Sequence, residues 1–293
     1  MKNNHNNNNN WDIPYNNAFF KTSHNSYNIS VRKQLDSGVR GLEYDIHDDK
    51  IHELNDFEVY HLPKHVDVAL GVDGNPDNLL LTSWLNLLKE WSDERNNQHA
   101  PITLFIEFKD SLVNEDNEPS ESYGLKKLNR IILDVLSPNY IYQHKDFRKN
   151  GFHWPTLEEL KGKIIVVLTS YWGGFWASSE GGFESRKKYL ESSLAGTDDV
   201  CFVAWIEEDK GEGVTFMKEN TRFWKCSLEY STEHYEESNI AQRLTRVDYD
   251  KIIRGTHIKT YYKQNYTSGY RANFPSTDSW GEDKYDLSFP WSI

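Results

Sequence analysis

The chain has 293 residues, enough for one large domain or two small ones, and carries 45 Asp and Glu against 33 Lys and Arg, a formal net charge of -12. That balance argues against a nucleic-acid binder, which needs a basic face, and against polybasic recruitment to anionic lipid; it suits a protein that holds a cation. With 10 Trp, 17 Tyr and 14 Phe, the chain is too aromatic to be disordered.

Residues 1–12, "MKNNHNNNNNWD", form an Asn-rich stretch expected to be a disordered tail, and residues 13–293 the folded part. The start has no apolar leader, and no 18-residue apolar run follows, so the expected protein is soluble and cytoplasmic, a monomer with no transmembrane segment and no nucleic-acid partner. Cys201 and Cys226 make no metal pattern and are expected to be two thiols in a reducing compartment.

Strand-like and helix-like segments then alternate. "SVRKQLDS" reads as a helix stopped by Gly38, and "GVRGLEYDIH" (38–47) as a strand. "FEVYHL" (57–62) is a second short strand. The spacing of Leu81, Trp84, Leu85, Leu88 and Trp91 predicts an amphipathic helix, followed by a buried strand in "PITLFIEFKD" (101–110). The acidic "NEDNEPSES" (114–122) reads as a surface loop, and "YGLKKLNRIILDVL" as a helix. "TLEELKGKIIVVLTS" reads as a short helix feeding a buried strand. "VCFVAWIEE" (200–208), "HIKTYYK" (257–263) and "RANFPSTD" (271–278) are weaker strand candidates. Strands joined by helical crossovers imply a parallel sheet, and this many in one chain imply an α/β fold of the TIM-like (β/α) barrel kind, in a single domain, closed or incompletely closed.

In such a barrel the chemistry sits at the carboxyl ends of the strands. His24 and Asn25 follow the first apolar stretch. Glu43 and Asp45 end "RGLEYD" on one side of the strand, His61 ends "EVYH" and Glu107 ends "TLFIE". Taken singly, an HN pair is an ordinary turn and an E-x-D strand an ordinary solvated face; their order at successive strand ends sets them apart. Asn25, Glu43, Asp45 and Glu107 offer the all-oxygen ligands that Ca²⁺ prefers. Two histidines beside such a cation suit phosphoryl transfer, one at the phosphate and one protonating a leaving alkoxide.

"SHNSY…QLDSGVRGLEYDIHD…VYH…LFIEFKD…WPTLEELKGKIIVV" resembles the X-box half of phosphoinositide-specific phospholipase C over about residues 18–170. The resemblance implies a TIM-like barrel that cleaves phosphatidylinositol. The inositol 2-hydroxyl attacks phosphorus, giving diacylglycerol and a cyclic inositol phosphate that water can open. It implies that His24 and His61 are catalytic and that Asn25, Glu43, Asp45 and Glu107 hold Ca²⁺, with either Glu43 or Asp45 serving as base. The choice of His61 over His47, His52 or His65 rests on the preceding "VY". Asn25 and the E-x-D pair point to the small calcium-dependent type, since the calcium-independent type has Asp after the first histidine and an Arg in place of the metal. Lys109, Arg271 and Asp278 are candidates for binding substrate or orienting a histidine. Glycerophosphodiesterases on the same barrel begin with H-R-G instead, and a catalytically inert lipid- or protein-binding relative would be free to lose these residues.

The large enzymes of the family continue after "LKGKI" with lysines that hold extra ring phosphates. Here "KGKIIVVLTSYWGGFW" turns apolar and aromatic, so phosphatidylinositol is expected to be preferred over its bisphosphate. Trp172, Phe175 and Trp176, on a Gly-rich stretch after that strand, are candidates for contact with the membrane at which a peripheral enzyme of this kind acts.

Overall fold

The computed structural model describes residues 11–18, 20–110, 124–151, 153–170, 200–203, 228–231, 253–256 and 274–277. Strand β1 (Lys21–Ser23) is polar in composition yet wholly buried. Ser30 caps helix α1 (Val31–Asp36) by accepting from the Lys33 amide at 3.2 Å. Gly38, at φ 85°, supplies the left-handed residue that ends this turn and aims the chain into β2 (Val39–His47). Helix α2 (Ile51–Leu54) leads to the two-residue β3 (Glu58–Val59), which pairs antiparallel with the end of β2. Then follow α3 (Leu81–Asp93), β4 (Ile102–Phe108), α4 (Leu125–Tyr140), α5 (His144–Lys149) and β5 (Ile164–Ser170). The remaining described strands are β6 (Phe202–Val203), β7 (Leu228–Ser231), β8 (Ile253–Thr256) and β9 (Phe274–Thr277).

Strand order is β6-β5-β4-β2-β1-β9-β8-β7, every neighbour on this path is parallel, and β3 stands off it. Apart from β3, the order follows the chain cyclically, and the first strand pairs with the last. That is the winding of a TIM-like barrel rather than of an open doubly wound sheet. Among the described residues β6 and β7, the two ends of the path, do not pair.

The interior shows how far the sheet curves. Phe105 of β4 meets Phe274 of β9 edge-on at 5.4 Å, although β2 and β1 lie between those strands in the sheet. Phe20 stacks on the same ring at 4.9 Å, and Tyr15 lies 6.0 Å from it while its hydroxyl bonds Thr103 Oγ1 at 2.6 Å. These rings fill the barrel below the ends of β2 and β4. Outside, α3 packs Leu81, Trp84, Leu85, Leu88 and Trp91, all fully or almost fully buried, each stabilising by roughly 1.5–3 kcal/mol.

Four sequence expectations need correction or limits. "FEVYHL" forms a strand over only Glu58–Val59; beyond it Tyr60 donates to Asp45 O of β2 (3.2 Å), while Val59 donates to Leu79 O on its other side (2.8 Å). The segment 156–162 is a run of turns rather than a helix: Gly162, at φ 71°, bonds back to His99 O and stops it after one turn. "HIKTYYK" and "NEDNEPSES" lie outside the described residues, and the strand near the former is Ile253–Thr256.

Candidate active site

The carboxyl ends of β1, β2 and β4 and the turn after β3 deliver six of the expected residues to one mouth. Parallel register sets Asp45 opposite Glu107 and Glu43 opposite Phe105, so the carboxylates lie directly above the aromatic layer. Glu43, Asp45 and Glu107 are all buried, and one oxygen of each lies within 4.8 Å of the others. Three carboxylates at this separation repel strongly unless cations are present.

β1 ends in an Asn25 held at φ 46°, ψ 56°, a left-handed conformation that Asn tolerates better than most residues. The kink turns the Asn25 amide onto Glu43 Oε2 at 3.0 Å, and His24 Nε2 lies 3.7 Å from the same oxygen. Ser26 Oγ accepts from the Glu43 amide at 2.8 Å, and Gln34 Nε2 donates to Ser26 O at 2.6 Å, tying the loop to β2 and α1. The Tyr27 hydroxyl donates toward Asp45 Oδ2 (2.9 Å) and Asn25 Oδ1 (3.2 Å), which draws the amide oxygen to the carboxylates.

Asp45 Oδ2 also meets His61 Nδ1 at 2.8 Å and Lys109 Nζ at 3.2 Å. Burial alone would raise the Asp45 pKa, but Lys109 and His61 outweigh it and hold the carboxyl well below the usual carboxylate range. Burial and the Asp45 charge push the Tyr27 hydroxyl well above its ordinary value, so it stays a donor. Burial would lower Lys109, and Asp45 and Glu107 more than reverse this, keeping it a cation. The carboxylate on Nδ1 leaves His61 Nε2 facing the mouth, where the side chain is 39% exposed.

The other histidines near this end have different partners. His47 stacks on Tyr60 at 3.8 Å and meets Asp110 Oδ2 at 3.0 Å, while His65 packs edge-on against Tyr60 at 4.4 Å. Two positioning residues were not assigned roles from sequence. Tyr27 was visible as the last letter of "SHNSY". Asp67 accepts from the His61 and Leu62 amides at 3.1–3.2 Å and so fixes the His61 turn, a role with no local sequence signal. The loop after His61 also exposes Leu62, Val66, Leu70 and Val72. Arg271, Asp278, Trp172, Phe175 and Trp176 lie outside the described residues.

The donor set fits a hard cation. Glu43, Asp45, Glu107 and the Asn25 amide supply oxygen only, and Asp45 Oδ1 is buried with no hydrogen-bond partner among the described residues.

A family model described as calcium-dependent phosphoinositide phospholipase C matches residues 65–222, a segment that holds Glu107 and Lys109 and begins after His61. The chain is similar in structure to a calcium-dependent phosphoinositol-specific phospholipase C from the Gram-negative bacterium Pseudomonas sp. That similarity has 17% identity, 94% of each chain covered and a TM-score of 0.67. It is also similar to a Ca²⁺-dependent phosphatidylinositol-specific phospholipase C from Streptomyces antibioticus, with 16% identity, 92% of this chain and 95% of that one covered, and a TM-score of 0.66. At these identities the likeness speaks to the fold. No curated protein matches the chain by sequence.

Proposed function

Because the chain belongs to the calcium-dependent phosphoinositide phospholipase C family, we propose that it cleaves phosphatidylinositol at the glycerol–phosphate bond. The products are diacylglycerol and a cyclic inositol phosphate. The observation that carries this reading is the convergence of His24, Asn25, Glu43, Asp45, His61 and Glu107 at one barrel mouth, with His61 held by Asp45 at 2.8 Å.

Asn25, Glu43, Asp45 and Glu107 would hold Ca²⁺. When bound, the ion supplies positive charge to the phosphate and makes a neighbouring hydroxyl more acidic. The chain's own groups move the protons. Glu43 takes the proton of the inositol 2-hydroxyl, since Asp45 already accepts from Tyr27, His61 and Lys109 and is the weaker base. The 2-oxygen forms a bond to phosphorus as the bond to the glycerol oxygen breaks. That oxygen keeps the electron pair and takes a proton from His61 Nε2, while His24 donates to a phosphate oxygen.

The head group favoured is unphosphorylated inositol. Ile164–Leu168 of β5 are buried aliphatics, and the two lysines of "KGK" stand at or before its amino end, Lys161 on Glu158 and Lys163 on Asn139 O. Their charge is at the far end of the strand from the carboxylates. Exposed Leu62, Val66, Leu70 and Val72 beside His61 suit a site worked against a lipid surface, and Trp172, Phe175 and Trp176 would add to that contact. The test is turnover of phosphatidylinositol vesicles followed by phosphorus NMR. Wild type should give a cyclic phosphodiester, and His24→Ala and His61→Ala should each lose about 10²–10⁴-fold in kcat. Full turnover by either variant would remove the two-histidine scheme.

A further inference from the structure

Lys109 follows Glu107 by two residues, and its side chain, 14% exposed, turns back into the carboxylates. Nζ is 3.2 Å from Asp45 Oδ2 and in contact with Glu107 Oε1, and the Glu43 charge acts on it as well. A lysine bonded to the same acids that would carry the ion is not a bystander. Its single charge offsets part of the repulsion among three buried carboxylates, which are otherwise costly to hold together. We propose that Lys109 is a built-in rival of calcium: its ammonium neutralises Asp45 and Glu107 in the metal-free protein, and Ca²⁺ binds by displacing it.

The inference rests on the calcium reading of this site. It follows that Lys109 sets how much calcium the protein requires. Loading must break two ion pairs before the carboxylates are available, and until the lysine leaves, its charge repels the incoming ion at contact distance. Its four-carbon stem, unlike a rigid guanidinium fork, lets the ammonium swing to solvent without moving β4. The folded metal-free protein also gains from it, because the same ammonium keeps the acid group tolerable in the absence of metal.

Two measurements on the full chain test this. Calorimetric titration with CaCl₂ should show Lys109→Gln binding about tenfold or more tighter than wild type, and Lys109→Arg, which keeps the charge on a stiffer fork, binding no tighter than wild type. Independently of any variant, acetylation of the wild-type lysines read by mass spectrometry should label Lys109 slowly without metal. With saturating Ca²⁺ the labelling should be several-fold faster. Equal or weaker calcium binding by Lys109→Gln, or labelling of Lys109 that calcium leaves unchanged, overturns the rivalry while the calcium site stands. Calcium binding to neither protein overturns the site and the rivalry together.

Discussion

Replacing Gly41 with alanine tests how closely the strand carrying His24 is held against the strand carrying the carboxylates. β1 and β2 pair with Thr22 opposite Gly41, and an alanine Cβ there would lie 2.3 Å from Thr22 Oγ1, 2.6 Å from its Cγ2 and 2.8 Å from its Cβ. Comfortable carbon contacts are about 3.5–4.0 Å, so the overlap is roughly 1 Å. Thr22 cannot yield easily: it is fully buried and its hydroxyl donates to Phe20 O at 3.1 Å. The strands must therefore part, at a cost of about 1–3 kcal/mol. His24 and Asn25 follow Thr22 by two and three residues, so β1 would carry them away from Glu43, and a displacement near 1 Å costs about 10²-fold in rate. Urea unfolding followed by tryptophan fluorescence reads the first effect, and kcat on phosphatidylinositol the second. Adding Thr22→Ala removes the two nearest atoms and should return part of both losses, a coupling that a double-mutant cycle isolates. A Gly41→Ala protein with the wild-type midpoint, or one that Thr22→Ala does not help, would refute the close approach.

Tyr27→Phe removes a buried hydroxyl from an ionised Asp45 and should lower the stability of the calcium-free protein by about 2 kcal/mol, read as a lower urea midpoint. His99 gives a pH dependence of known sign. Its Nδ1–H donates to Ala100 O at 2.8 Å, and its Nε2 shares a hydrogen bond with Ser92 Oγ at 2.6 Å. Burial, helped by Arg40 and Arg95, lowers its pKa from 6.5 to about 4. The unfolded chain therefore takes up a proton below about 6.5 that the folded chain refuses until about 4. The stabilisation is complete above pH 6.5 and is lost as pH falls toward 4, on the order of 3 kcal/mol across that window. Unfolding free energies at pH 7 and 4.5 should fall less for His99→Gln than for wild type; parallel losses in the two proteins would contradict the shift.

Where a residue's role follows from the strand or helix it sits on, the sequence is readable. The two-residue period of a strand placed Glu43 and Asp45 together on one side of β2, and the helical spacing of Leu81, Trp84, Leu85, Leu88 and Trp91 matches the buried side of α3. The motif order anticipated that these strand ends share one mouth. What was hidden depends on contacts distant in sequence. β1 is three polar-leaning residues, "KTS", buried between β2 and β9 in the curved sheet. The Tyr27 bond to Asp45 spans 18 positions, and the Asp67 clamp on His61 exists only because the chain doubles back. Segment 156–162 carries helix-forming residues, but Gly162 and its bond to His99 O end it, a local preference overruled by packing. Lys109 was a candidate for binding substrate or orienting a histidine, and nothing in "EFKD" reveals that its side chain folds back on the acids.

The most direct test of the whole account is to incubate the protein with phosphatidylinositol vesicles in the presence of Ca²⁺ or of a chelator and to measure diacylglycerol. Release with calcium that the chelator abolishes, and that added calcium restores, is the predicted result. Equal release under both conditions, or none under either, would contradict a calcium-dependent phosphodiesterase at this site.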